Sequence, residues 1–249
     1  MMLQAKRERS HFDALYRDLA VDCETDISET RREPAWQALR SALGPLKGAR
    51  ILELGCGPAR WSVSLACTTP ARTIVACDVS LNGLRQAGRL AQRAGVGGRT
   101  HLVQADAHRL PFRDRSFDHV IGGAILHHLD LSQASHEIRR VVRPGGHAVF
   151  CENNGDNVVL RFVWATLNRM AWFALETGDA HPLRAEELAH LADRFGTCTV
   201  WVPYVTLFTT LAWRRPLRRG KAMFQMLDAI LSNPLTNGCS MSRWIRLEA

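Results

Sequence analysis

The sequence predicts an α/β fold: seven strands in a mostly parallel sheet, with helices on both faces. Three observations carry this. From residue 50 onward, short apolar runs alternate with stretches of helical apolar spacing, the pattern of strands joined by crossover helices. Glycine- and proline-rich turns punctuate the alternation. The 249 residues, 46% hydrophobic and 22% charged, suit one α/β domain with insertions.

Residues 1–32 are polar and charged, with an aromatic patch at Phe12 and Tyr16, and predict a helical arm ahead of the core. A helix follows over 33–43, with Pro34 in its first turn and Gly44-Pro45 as its stop. RILEL (50–54) predicts the first strand, closed by Gly55, and 61–67 the helix after it. TIVAC (73–77) is the second strand. Residues 81–94 form a helix with apolar spacing at Leu84, Ala87, Leu90, Ala91 and Ala94, Ser80 as N-cap and Gly95 as stop. Strands at 100–105 and 117–122, a helix at 132–142 and a fifth strand at 146–151 complete the regular part. Beyond Glu152 the texture changes. A turn cluster at 153–157 leads into a helix over 158–175, a second helix over 184–194, a strand over 197–202, an apolar helical stretch over 205–233 and a last strand over 242–247. One domain over 1–249 is expected, divided into an arm (1–47), a core (48–152) and a substrate-facing lid with the last strands (153–249).

The net charge is +8, and of the 32 basic residues only Lys6, Lys47 and Lys221 are lysine. The densest run, RRPLRRGK (214–221), reads as a solvated loop or as a contact for an anionic surface. The preceding VTLFTTLAW (205–213) is apolar, so residues 205–221 combine the two features of a membrane-surface segment. No stretch reaches the ~20 apolar residues needed to span a bilayer. The first residues lack the apolar core of a secretory signal. The seven cysteines form no C-x-x-C pair, are odd in number and fall largely in apolar runs. Free thiols in a reducing compartment are expected, and the cytoplasm with them.

The strongest chemical signal is ILELGCGPAR (51–60), a strand that ends in a Gly-rich turn and opens a helix. Glycines there let the chain turn tightly and let a ligand approach the backbone. Dinucleotide binders share such a turn. Here Glu53 precedes the first glycine by two residues, and Arg60 stands where the dinucleotide pattern wants its third glycine. Asp78 closes the second strand, at the distance where a carboxylate accepts ribose hydroxyls. Asp106 closes the third, where a carboxylate can accept an adenine amino group. In open α/β sheets ligands sit at the carboxyl ends of the strands, so three acids in phase point to one adenosyl-type ligand.

ILELGCGPAR, VACDVS, QADAHRLPFRDRSFDHVIGGAILHHL and RRVVRPGGHAVF together resemble the successive motifs of the class I S-adenosylmethionine-dependent methyltransferases. The nearest subset is the type 11 group, which includes ubiquinone- and menaquinone-biosynthesis and natural-product enzymes. The resemblance covers about residues 48–152 and implies a Rossmann-like fold with S-adenosylmethionine as cofactor. It implies that Glu53, Gly55, Cys56 and Gly57 border the methionine moiety, Asp78 and Val79 the ribose, Asp106 and Ala107 the adenine, and that Gly123 passes beside the sulfonium. Tyr16 or His11 of the arm are candidates to close over the cofactor. Ala59 stands where the family often has a third glycine.

Methyl transfer from a sulfonium is an in-line displacement, and the protein's task is alignment and exclusion of water. A base is needed only where the nucleophile carries a proton at neutral pH. His127 and His128, just after the fourth strand, are the candidates. Either can instead tie the loop to the sheet. No metal is expected, because the fourth strand ends in Gly-Gly-Ala without a carboxylate. The stretch Ile121–Ala124 lacks the D/N-P-P-Y/F pattern of base-amino methyltransferases, and nucleic acid is a weak alternative resting on charge alone. The expected acceptor is a small apolar or amphipathic molecule (natural product, quinone or lipid-like), methylated on oxygen or carbon by a monomer or homodimer. An RNA methyltransferase and a cofactor-binding protein without turnover are the alternatives.

Overall fold

The computed structural model describes residues 2–18, 27–158, 181–206, 221–232 and 237–249. Helix α1 (Met2–Asp18), the short α2 (Ile27–Arg32) and α3 (Pro34–Leu43) precede the sheet. Then come β1 (Arg50–Leu54), α4 (Arg60–Thr68), β2 (Thr73–Asp78), α5 (Leu81–Arg93), β3 (Thr100–Gln104), β4 (Phe117–Gly123), α6 (Leu131–Val141) and β5 (Val142–Asn153). The C-terminal part adds α7 (Ala185–Phe195), β6 (Thr197–Trp201), α8 (Lys221–Leu231) and β7 (Ser242–Glu248).

Among the described residues the seven strands form one sheet in the order β3-β2-β1-β4-β5-β7-β6. Five strands run parallel, and β7 is antiparallel to both neighbours, β5 and β6. Chain order reverses between β1 and β4. This is the switch point where crossovers diverge to opposite faces and leave a crevice at the strand tips.

Alternation along the strands builds two cores. Ile51, Ile74, Ile121, Val149 and Trp244 face α3 and α4 through Trp36, Leu39, Leu43, Val63 and Leu65. Leu52, Leu54, Val120, Phe150 and Ile245 face α6 and α7 through Ile138, Val141, Leu188, Leu191 and Phe195. A strand buried on both sides reads as an apolar run rather than an alternating one, as RILEL and TIVAC do. The caps follow local chemistry: the Ser80 hydroxyl accepts the Gly83 amide at 3.1 Å, and Asp130 accepts the Ser132 amide at 3.0 Å.

The elements differ from expectation in three places. Strand β5 starts at Val142 rather than at 146, because Val142 already pairs with Phe117 of β4; the register then shifts across Pro144-Gly145, where Gly145 has φ of 76°. The predicted arm over 1–32 holds two helices, α1 and α2, while the helix expected over 33–43 is present as α3. Of the apolar stretch over 205–233, only Lys221–Leu231 is a described helix, while 207–220, with most of the basic run, lies outside the described residues. The expected helix over 158–175 also lies outside them, save Val158. No helix among the described residues is long and apolar enough to cross a membrane. The five cysteines with described side chains, Cys56, Cys67, Cys77, Cys151 and Cys198, are unpaired.

Toward the sheet edge opposite the strand tips, His119 of β4 and His147 of β5 stand in register with ring centroids 4.3 Å apart. Burial pulls His119 down to about 4 and His147 down to about 3. Arg143 and Arg246 add repulsion at His119, and His119 and Arg246 at His147, while Asp118 opposes the shift at His119. Both folded values lie below the unfolded one. The pair's neutral form therefore supports the fold above pH ~6.5, and that support is lost as the pH falls toward 4. The thermal midpoint, followed from pH ~7.5 to ~5, is expected to fall several degrees more in the native protein than in a His119→Gln/His147→Gln variant. Parallel profiles would show that these rings do not govern acid sensitivity.

Candidate functional site

The tips of β3, β2, β1 and β4 lie side by side, so the predicted acids and glycines converge. Glu53 and Asp78 are 5% and 6% exposed. The Glu53 carboxylate accepts the Ser62 amide at 2.8 Å, which fixes the first turn of α4. Asp78 accepts the Gly57 amide and the Ser80 amide, both at 2.7 Å, and so clamps the Gly-rich turn to the start of α5. The Cys56 amide bonds the Cys77 carbonyl at 3.0 Å, closing the turn over β2.

Gly55 and Gly57 have φ of 61° and 48°, in the left-handed region where a side chain is disfavoured. A Cβ at Gly55 would meet Ile125 at 2.6 Å, and one at Gly57 would collide with the Tyr16 hydroxyl. Gly123 at the β4 tip lies against the Trp61 ring, 2.8 Å from where its Cβ would be. These glycines form the floor of the crevice, with the Ile125, Tyr16 and Trp61 side chains lying against it.

Desolvation pushes the Glu53 carboxyl up to about 7; the Ser62 hydrogen bonds oppose the shift and the nearby Asp78 charge adds to it. Asp78 is also raised by burial, against the amides it accepts. Two buried carboxylates in one cleft make it short of positive charge. They favour a ligand that brings a cation and hydroxyl donors.

Asp106 is tied to His108, whose amide and Nδ1 lie 2.9 and 2.6 Å from its Oδ1. His108 Nε2 in turn accepts the Asp130 amide at 2.9 Å. Val79 offers its carbonyl to Gln104 at 2.9 Å, and the Ala105 amide bonds the Asp78 carbonyl at 3.1 Å, so the β2 and β3 tips are stitched together and Ala107 follows in the same turn. Sequence reasoning missed His108 as the residue that orients Asp106. A histidine two residues past a strand-end acid was the available signal.

His127 and His128 occupy the 3-10 turn Leu126–His128 after β4. They have different surroundings. His127 Nδ1 lies 2.6 Å from Glu152 Oε2, with neither side chain exposed. The other Glu152 oxygen accepts the Ile125 and Leu126 amides at 2.9 and 2.8 Å. Glu152 thus grips the whole post-β4 turn from the end of β5. His128 faces α1 instead, its Nδ1 3.6 Å from Glu8 and its ring edge-on to Phe12 at 5.2 Å.

Helix α1 spans the crevice. Asp13 accepts the Ser80 hydroxyl at 2.6 Å and the Asn82 amide at 3.1 Å, on one lip. Glu8 and Phe12 meet His128 on the other. Between them Tyr16 reaches down to Gly57 and Gly83. Burial and the charges of Asp78, Cys56 and Glu53 hold its phenol well above the usual range. His11 packs edge-on against Phe12, at 5.1 Å.

Removing the Glu152 carboxylate leaves two backbone amides and an imidazole unmatched in the interior. Glu152→Ala is expected to lower stability by about 3 kcal/mol in denaturant unfolding. A change under about 1 kcal/mol would show that the turn does not depend on this grip.

Comparisons with known proteins identify the family. The family described as "Methyltransferase domain" matches residues 52–150. A demethylmenaquinone methyltransferase of Geobacillus kaustophilus is 31% identical over 158 residues, covering 61% of this chain and 66% of that protein. Another, of Mycolicibacterium paratuberculosis, is 32% identical over 193 residues, covering 74% of this chain and 79% of that protein. The crystal structure of geranyl diphosphate C-methyltransferase from Streptomyces coelicolor A3(2), in complex with Mg2+, geranyl diphosphate and S-adenosyl-L-homocysteine, has a TM-score of 0.60. At 14% identity, with 89% of this chain and 80% of that chain covered, it speaks for the fold alone. The chain belongs to the class I S-adenosylmethionine-dependent methyltransferases, in the type 11 group.

Proposed function

We propose that this methyltransferase acts on a small amphipathic molecule bearing a hydroxylated ring, of the quinol kind. The observation that carries the cofactor half is the pair Glu53 and Asp78, buried beside two left-handed glycines at neighbouring strand tips. S-adenosylmethionine, the cofactor of the family, supplies a methyl group already activated on a sulfonium. Its ammonium and ribose hydroxyls are the cation and donors that this cleft lacks. In this reading Glu53, with Gly55, Cys56 and Gly57, borders the methionine end, and Asp78 with Val79 takes the ribose. Asp106, oriented by His108, and Ala107 serve the adenine. Gly123 leaves room at the reacting centre.

The acceptor half rests on two supports. The relatives with the greatest similarity reported above are named demethylmenaquinone methyltransferases. At the β4 tip, Trp61, Ile125 and Phe12 offer an apolar, aromatic surround. The same surround excludes water, which alignment of nucleophile and methyl requires. Exposed Met223, Met226 and Ile230 on α8 follow the apolar and basic residues 205–221 in sequence. They fit contact with the membrane surface that holds such an acceptor. Residence in the cytoplasm, as a monomer or homodimer, completes the reading.

Asp78→Ala is expected to abolish the thermal shift given by S-adenosylhomocysteine, and to weaken its affinity by at least ~30-fold in calorimetry. An undiminished shift would remove the ribose from that residue. Glu53 sits near its midpoint at neutral pH, and a cationic ligand favours its ionised form. Affinity should therefore rise between pH ~6 and ~8 with release of a proton, and Glu53→Gln should flatten that profile. Prenylated naphthohydroquinone, kept reduced, is the acceptor to try, with mass spectrometry reading methyl incorporation.

A further inference from the structure

The arm helix α1 does more than cover the cleft. It brings Glu8 to His128 across 120 residues of sequence, with Glu8 Oε2 3.6 Å from His128 Nδ1. The side chains are 18% and 8% exposed, so the pair is largely shielded from water yet stands at the rim rather than in the core. Phe12, one helical turn on, packs edge-on to the same imidazole at 5.2 Å and fixes the plane of its ring. Asp13 pins the helix to Ser80 and Asn82, so the position of Glu8 depends on an anchor at the β2–α5 junction. The His127 ring lies tilted against His128 at a centroid distance of 4.3 Å and is itself engaged by Glu152. His127 is thus committed to the sheet, and His128 to the arm.

We infer that Glu8 and His128 form an acid–base pair, assembled only when α1 is docked, that takes the proton of a hydroxyl-bearing acceptor. His128 is the catalytic base and Glu8 its positioning residue. The inference rests on the proposed acceptor class. In the step, the acceptor O–H bond breaks and its proton moves to the ring nitrogen of His128 not turned toward Glu8. The released electron pair, on oxygen or on the conjugated ring carbon, forms the new bond to the methyl carbon. The methyl–sulfur bond breaks with its pair going to sulfur, which becomes a neutral thioether. On the carbon route the methylated carbon then loses its hydrogen as a proton, the oxygen takes a proton back from His128, and the ring regains aromaticity. One proton is released per methyl transferred on either route. The imidazolium formed is balanced by the Glu8 carboxylate, whose charge, at 3.6 Å and so beyond hydrogen-bond distance, also favours the tautomer with hydrogen on Nδ1. Docking of the arm would thereby couple closure of the site to readiness of the base.

The test compares the native protein with Glu8→Gln, Glu8→Asp and His128→Asn. Affinity for S-adenosylhomocysteine, measured by calorimetry, should change by less than about threefold in all four, because neither residue belongs to the cofactor floor. With naphthohydroquinone as the probe acceptor, kcat should fall by about 100-fold in His128→Asn and at least about tenfold in Glu8→Gln. KM should stay nearly constant, and Glu8→Asp should recover part of the loss. In 15N spectra of the labelled imidazole, His128 should hold its hydrogen on Nδ1 in the native protein and lose that preference in Glu8→Gln. Equal kcat in Glu8→Gln, or an unchanged His128 tautomer, overturns the pair. Intact binding of S-adenosylhomocysteine with no methyl transfer from native protein to the hydroquinone also overturns it, and leaves the cofactor reading standing. Loss of binding in the native protein would sink the cofactor reading itself.

Discussion

The grip of two buried carboxylates on backbone amides is the constraint on which the rest of the site depends. Glu53 holds the first turn of α4, and Asp78 holds the glycine turn and the start of α5. Neither carboxylate is neutralised by a cation within these bonds. Amides satisfy their lone pairs but do not cancel their charge, so burial raises both acids. The fold therefore carries an electrostatic debt at the strand tips that a cationic ligand can relieve. Under the proposed cofactor reading, the local structure and the preference for a sulfonium- and ammonium-bearing ligand have one physical origin.

That arrangement needs the switch point. With β1 between β2 and β4, the crossovers after β1 and β4 leave to opposite faces and the tips stay uncovered. The protein closes this opening with a separate helix, α1, rather than with a loop of the sheet. Among the described residues its contacts include Asp13 and the Tyr16 carbonyl on one lip, Glu8 on the other, and aromatic rings between. Tyr16 stands on Gly57, so under the proposed cofactor reading the position of the arm and the loading of the cleft are coupled.

The core was legible because it is built from local rules. RILEL and TIVAC are apolar runs bounded by turns, and Ser80 with Gly95 marks the ends of its helix. Glu53, Asp78 and Asp106 were readable because each closes a strand, and parallel strands bring their ends to one edge. What the sequence did not disclose depends on tertiary proximity. Nothing near Glu8 announces His128, and nothing near Glu152 announces that it binds the turn 27 residues before it through Ile125. The two adjacent histidines looked equivalent because a dipeptide carries no record of which ring turns inward. Their environments separate only once β5 supplies Glu152 on one side and α1 supplies Glu8 on the other.

This division of the histidines has a structural logic. A turn that presents a base must itself be rigid, since proton transfer tolerates little error in distance. Glu152 supplies that rigidity with one carboxylate serving two amides and one imidazole, all from the interior. His128, next in sequence, inherits a fixed backbone without sharing the buried bond. Its remaining freedom is the rotation of its ring, and Glu8 and Phe12 restrict that rotation from outside. The sheet therefore sets where the imidazole is, and the arm sets which way it points.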